Sequence, residues 1–109
     1  MAITNFIDAQ RQSNLTNASP TIIYDLPVGT SVRLWFTGAG TATVYTTGSP
    51  RDQVAKDTTN GNITGSTNAR WTQWGAGSVT VETVQVINQS QTALAVVVTS
   101  GTWSIEVTR

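Results

Sequence analysis

The sequence contains no cysteine and no histidine. Without cysteine the chain has no disulfide and no thiolate metal site. Without histidine it lacks the usual general base of enzymes and the commonest protein ligand of metals. A nucleophilic catalytic triad needs such a base beside its nucleophile. We therefore expect a protein that is not an enzyme and that holds no metal and no cofactor.

Charge is also scarce in this chain. Six basic and six acidic residues give a net charge of zero, and Lys56 is the only lysine. Nucleic acids and anionic membranes attract a basic field, so we expect neither as a partner. No apolar run approaches the roughly 20 residues that span a bilayer. The first twelve residues, MAITNFIDAQRQ, also lack the basic start and the apolar stretch of a secretory signal.

Threonine and valine dominate what is present. The 109 residues include twenty threonines, which disfavour helices and favour strands. A chain of this length is typical of one domain and can bury a sizeable core without disulfides. Composition and length together predict a single all-β domain.

The last 31 residues show the clearest strand pattern. From Val79 onward the chain reads VTVETVQVI, NQSQT, ALAVVVT, SG and TWSIEVTR, which is typical of an antiparallel meander. A hairpin with Ser100-Gly101 at its tip places six apolar residues on one face. We predict that this face is buried, and it comprises Leu94, Val96, Val98, Trp103, Ile105 and Val107. The preceding strand is predicted to turn Val84 and Val86 toward the same core.

A second hairpin is predicted between residues 31 and 47, with Gly38-Ala39-Gly40 at its tip. Placing Leu34, Phe36 and Val44 inward turns three larger side chains to solvent, namely Arg33, Trp35 and Tyr45. Aromatic residues beside an arginine are typical of protein interfaces, so these three are candidate partner-binding residues. The alternative is a partly covered pair of surface aromatics with arginine stacked on it.

Residues 1–18 are predicted to form an extended arm ahead of a β-domain at 19–109. The segment carries an apolar patch at Ile3, Phe6 and Ile7, followed by a polar stretch that ends at Pro20. An apolar patch in such a segment favours an arm that becomes ordered on a neighbouring protein, with these three residues as anchors. A disordered tail is the alternative.

Few residues remain that could carry chemistry. Glu82 and Glu106 offer the two carboxylates that a glycosidase needs, but solvated strand charges explain them better. Four residues with side-chain oxygens could bind calcium: Asp52, Asp57, Asn60 and Asn62. Their spacing does not match an EF-hand. Trp71 and Trp74, three apart on a strand, are expected to place one indole in the core and the other outside.

Three stretches carry a resemblance to a known class of proteins: GTATVYTTGSP, RWTQW and TALAVVVTSGTWSIEVTR. In their threonine-, valine- and glycine-rich character they resemble small virion proteins of tailed bacteriophages, especially head decoration or cement proteins. The resemblance implies a compact β-sandwich or jelly roll, arms that clamp neighbouring capsid subunits, and no catalytic residues.

These observations predict an antiparallel β-sandwich, jelly-roll-like or immunoglobulin-like, with an extended N-terminal arm. The expected function is that of a structural virion protein on the outer surface of the capsid. Its expected partners are the major capsid protein or other virion proteins, with self-association into a dimer or trimer. The alternative is a carbohydrate-binding or adhesion module that uses exposed tryptophan and tyrosine, and a glycosidase ranks third.

Overall fold

The computed structural model describes residues 4–6, 10–17, 20–60 and 63–108, and it confirms an all-β, mostly antiparallel fold. Seven strands of the described residues belong to one sheet, and a single helix follows the fourth strand. The elements in chain order are β1 (Thr4–Phe6), β2 (Gln10–Leu15), β3 (Thr21–Leu26), β4 (Ser31–Thr47), α1 (Arg51–Asn60), β5 (Thr72–Val79), β6 (Thr83–Val86) and β7 (Gln91–Thr108).

Two long strands, β4 and β7, form the spine of the sheet. They contain 17 and 18 residues and pair antiparallel from Ser31 opposite Thr108 to Thr47 opposite Ala93. The two predicted hairpins are therefore wrong, because each apparent pair of short strands is one continuous strand. The six residues predicted to be buried along β7 are all buried, with exposures of 0 to 5%. An alternating pattern determines which face a residue takes, but it does not determine which strand lies alongside.

A close crossing of β4 and β7 replaces the two predicted tips. Gly101 has a φ of +82°, and the register between the strands shifts between Thr37 and Thr41. A β-carbon on Gly40 would lie 2.6 Å from the Ser100 carbonyl oxygen, so the two backbones approach more closely than any side chain allows. In β7 the residues of the main core are even-numbered before this point, at Leu94, Val96 and Val98, and odd-numbered after it, at Trp103, Ile105 and Val107. The bend thus keeps one face of the strand inside along its whole length.

The bend divides the sheet into two half-sheets that enclose one core. The first half-sheet contains β2, the end of β7, the start of β4 and β6. The second contains β3 with β1 beyond it, the start of β7, the end of β4 and β5. Both contribute to a main core of sixteen buried residues that includes Leu34, Val44, Leu94 and Ile105. The predicted sandwich is therefore a single sheet that curls over on itself, not two separate sheets.

Helix α1 and the loop after it cover the side of the second half-sheet that points away from the main core. Small residues at Ala93 and Ala95 leave room on that face, and Val54 of the helix packs there. The resulting outer cluster comprises Ile22, Tyr24, Val54, Ile63, Ala69, Ala93 and Ala95, with Tyr45, Trp71 and Val97 at its margin. Among the described residues, α1 is the one helix, and neither its length nor its polarity suits a membrane span.

Strand β3 is buried on both faces, and a backbone irregularity separates its apolar residues. The sequence pattern predicts Ile22, Tyr24 and Leu26 on one face, but Leu26 lies in the main core while the other two lie in the outer cluster. Asp25, between them, has a φ of +62°, a left-handed conformation that aspartate tolerates better than most residues. This conformation rotates the chain and turns Leu26 inward.

The described parts of the N-terminal segment join the sheet. β1 pairs in parallel with β3, and β2 pairs with β7 and brings Leu15 into the main core. An extended arm is therefore not confirmed for these parts. Ile3 and Ile7 lie outside the described residues, and of Phe6 only the backbone, in β1, is described.

Candidate binding surfaces around strand β6

In strand β6 the apolar residues point outward and a polar residue points inward. A strand that packs over a core normally has the reverse arrangement. Val84 and Val86 pair with Arg33 and Ser31, whereas Gln85 pairs with Val32. Directly opposed residues share a face, and Val32 is fully buried, so Gln85 points inward and the two valines point outward. Val84 and Val86 are 45% and 61% exposed. The prediction that they face the core is therefore wrong.

The outward residues of the first half-sheet form a surface that we call the outer face: Arg33 and Trp35 of β4, Val84 and Val86 of β6, and Ser104 and Glu106 of β7. None of the described residues of the outer cluster lies on this half-sheet. At its margin, Arg33 donates from Nη1 to Glu82 Oε2 over 2.7 Å. Both side chains are about half exposed, so the pair orders the surface more than it stabilises the fold.

The structure separates the residues that the sequence grouped as one binding patch. Arg33 and Trp35 lie on the outer face, and Trp35 is half-buried opposite Ser104. Tyr45 lies ten residues farther along β4, on the second half-sheet, where it packs at the margin of the outer cluster. The predicted hairpin that would bring Arg33, Trp35 and Tyr45 together on one face is wrong, because β4 does not turn back on itself.

Gln85 lines a cleft at the open side of the curled sheet, between the edges of β5 and β6. This side cleft has a volume of about 240 Å³. It is lined by Thr46, Gln73, Trp74, Gly75, Gln85, Val86, Ile87, Asn88, Gln89 and Gln91, and none of these described residues carries a charge. Five of the lining residues carry side-chain amides, namely Gln73 of β5 and four residues of the stretch from Gln85 to Gln91. The pairing of β5 and β6 with β4 brings the two segments together.

The aromatic residues are not arranged as an open stacking platform. Trp74 and Trp103 are buried, and Trp71 is half-buried with its indole Nε1 donating to Asp57 Oδ2 over 2.7 Å. Trp74 donates from Nε1 to the Gly77 carbonyl oxygen, because β5 bulges between Gln73 and Ser78. The stretch Gly75-Ala76-Gly77 lies within this bulge. Tyr24 is buried, with the Arg51 guanidinium 4.1 Å from its ring centre.

Asp57 is a structural carboxylate. Its oxygens accept hydrogen bonds from Ser66 Oγ at 2.5 Å, Asn68 Nδ2 at 3.0 Å, the Ala69 amide at 3.1 Å and Trp71 Nε1. Burial by itself raises the pKa of this carboxyl, but the four hydrogen bonds together outweigh burial and hold the pKa below its ordinary value. Asp57 thus ties α1 to the loop at 66–71.

The described residues do not support the calcium site or the glycosidase pair that the sequence suggested. Asp52, exposed, accepts a hydrogen bond from Gln53 and does not join Asp57. Asn62 lies outside the described residues, and of Asn60 only the backbone is described. In the described ranges no three acidic side chains come together as a metal site would require. Glu82 forms a salt bridge with Arg33, and Glu106 lies opposite Arg33 on the neighbouring strand β7.

Replacing Asp57 by asparagine should cost about 1 to 3 kcal/mol of folding stability near pH 7, because an amide NH₂ would face donors that now meet an acceptor. The folded-state pKa is lowered, so the ionised group stabilises the fold above the ordinary carboxyl range. That contribution is lost as the pH falls below about 4. Urea denaturation near pH 7 and below about pH 4 should show that the difference in folding stability between Asp57→Asn and the wild type is smaller at the acidic pH. An equal difference at both would show that the charge contributes nothing.

Among solved structures, the chain is distantly similar to β-rich domains of other proteins. No protein-family model and no curated protein sequence matches the chain. It is similar to the pre-peptidase C-terminal domain of a collagenase from Bacillus anthracis, with 10% identity, coverage of 96% of this chain and 93% of that chain, and a TM-score of 0.46. It is also similar to PliG of Aeromonas hydrophila, a periplasmic inhibitor of g-type lysozyme, with 13% identity, 97% of each chain and a TM-score of 0.40. At these scores neither likeness carries functional meaning for this chain.

Proposed function

We propose that this chain is a non-enzymatic structural protein that attaches to the outside of a phage head and stabilises the shell. One observation carries the proposal: the outer face leaves two strand valines in solvent, while the equivalent face of the second half-sheet is covered by α1. Isolated exposed valines are ordinary, but two neighbours on one strand beside a half-buried tryptophan form an apolar patch. A patch of this kind favours a protein partner.

The chemistry of the outer face suits a protein surface better than a charged partner. Arg33 and Glu82 already neutralise one another, and the chain as a whole has no net charge. Burial of Val84 and Val86 would supply the affinity, at roughly 25 cal/mol for each Å² of apolar surface covered. Attachment to the assembled shell and not to free subunits would stabilise the shell by mass action. The major capsid protein is the partner that the sequence resemblance implies.

The test is cosedimentation with expanded heads assembled from the major capsid protein of a tailed phage. We expect the wild-type protein to pellet with the heads, and the double variant Val84→Thr, Val86→Thr to bind at least about tenfold more weakly, since threonine keeps the shape and strand preference but adds a hydroxyl. Val28→Thr is the matched control, because Val28 is 63% exposed but lies in the turn before β4. Equal binding of all three proteins, or none by the wild type, would refute the proposal.

A further inference from the structure

We infer that the side cleft binds a neutral sugar unit. The side cleft shares only Val86 with the outer face, and the inference goes beyond the proposed attachment to a shell. It begins from Gln85, which occupies a position on β6 where the alternation of the sheet calls for an apolar residue. Gln85 shares its face with the fully buried Val32, yet its carboxamide extends toward β5, where a β-carbon on Gly75 would lie 3.7 Å from its Oε1.

The lining of the side cleft matches the hydrogen-bonding character of sugar hydroxyls. Each carboxamide offers two N–H donors and one carbonyl acceptor, and each hydroxyl of a sugar both donates and accepts. Within the described part of the chain, the side-chain amides of Gln73 and Gln85 have no hydrogen-bond partner, and that of Gln91 donates to the Gln89 carbonyl oxygen over 3.3 Å. Unpaired amides facing a cleft are available to a ligand.

The remaining features of the side cleft limit the class of ligand. No charged side chain lines it among the described residues, which disfavours phosphates, carboxylates and amines. Trp74 and Ile87, each 7% exposed, form the apolar floor of the side cleft. A volume of about 240 Å³ is suited to a single sugar ring and is small for a larger ligand.

A peptide strand fits this site less well than a sugar. Addition of a strand requires a regular row of unpaired backbone groups along an edge. The edge of β5 is interrupted by its bulge between Gln73 and Ser78, and β6 is only four residues long. The recognition surface of the side cleft is therefore made of side chains, as a sugar requires.

The experiment is a titration of the ¹⁵N-labelled full chain, followed by NMR, with glucose, galactose, mannose and N-acetylglucosamine at millimolar concentrations. We expect at least one of them to shift the side-chain amide signals of Gln73, Gln85 and Gln91 in a saturable way. A blocked alanine tripeptide serves as the competing ligand class. Saturable shifts with the tripeptide alone, shifts scattered over the surface, or no saturable shift with any of the four sugars would overturn the inference.

The decisive variant is Gln85→Leu, which restores an apolar residue at an inward position and should leave the fold intact. We expect sugar binding to weaken by about tenfold or more, because the ligand loses its central hydrogen-bonding partner. Val84→Thr, one residue away but on the outer face, should bind sugar as the wild type does. If Gln85→Leu does not fold, Gln73→Ala at an exposed position provides the same test. Binding to heads should persist in Gln85→Leu, so failure of this inference is distinguishable from failure of the proposed attachment.

Discussion

Replacing Trp103 with alanine is expected to lower the free energy of unfolding by about 3 to 5 kcal/mol. The indole is fully buried where the two half-sheets join, and its ring centre lies 4.7 Å from that of Phe36 in a tilted arrangement. Its Nε1 donates to the Ser100 carbonyl oxygen over 3.1 Å. Removal of the side chain would therefore leave a cavity at the bend and break this hydrogen bond to the Ser100 carbonyl oxygen.

Urea denaturation followed by far-ultraviolet circular dichroism measures this loss without depending on tryptophan emission. The matched control is Trp35→Ala, since Trp35 lies on the outer face and is only half-buried. Its replacement should cost much less, because solvent already reaches part of the ring and no closed cavity forms. Similar losses for both variants would mean that the main core does not centre on the bend.

The second large effect is expected from Gly101→Ala, with a loss of about 2 to 5 kcal/mol. Part of it is backbone strain, because the φ of +82° costs an L-residue about 1 to 2 kcal/mol. The rest is steric, since a β-carbon would lie 2.7 Å from the Ala39 carbonyl oxygen and 2.9 Å from Gly40 Cα. To accommodate it, β4 and β7 must separate at their crossing, at a further cost of about 1 to 3 kcal/mol.

Gly29→Ala separates these two contributions. Gly29 also has a positive φ, +94°, but a β-carbon there would meet no atom within 4 Å. This variant should therefore show the backbone strain alone, and the excess loss in Gly101→Ala measures the closeness of the crossing. If both variants lose the same stability, the two strands are not in close contact at Gly101, and the continuous pairing of β4 with β7 would be in doubt.

The sequence allowed the faces of the long strands to be predicted, because side chains alternate along a strand whatever lies beside it. Leu94, Val96 and Val98, as well as Trp103 beyond the bend, were assigned to the core on this basis and are buried there. The pairing of β4 with β7 could not be predicted in the same way. A glycine after a β-branched run is typical of a hairpin tip, and it is equally suited to a bend where another backbone passes within contact distance.

The candidate surfaces were predicted only in part. Arg33 and Trp35 were assigned to an outward face, and they lie on one. The valines of β6 were placed inward because apolar residues are expected inside, whereas pairing with β4 turns them out. Four amides of the side cleft are neighbours in the sequence, between Gln85 and Gln91, but only the three-dimensional pairing brings Gln73 of β5 beside them. Local sequence patterns contain no signal for that second part of the assembly.

The outer face is tested most directly by thiol labelling, since the chain has no cysteine of its own. A Val86→Cys variant should react rapidly with a maleimide when free and at least about tenfold more slowly when saturated with heads, because bound protein covers the face. Thr59→Cys, exposed on α1, is the control and should react at the same rate in both states. Slow labelling of free Val86→Cys would contradict the orientation of β6. Protection at Thr59→Cys with none at Val86→Cys would place the attachment surface on the opposite side of the molecule.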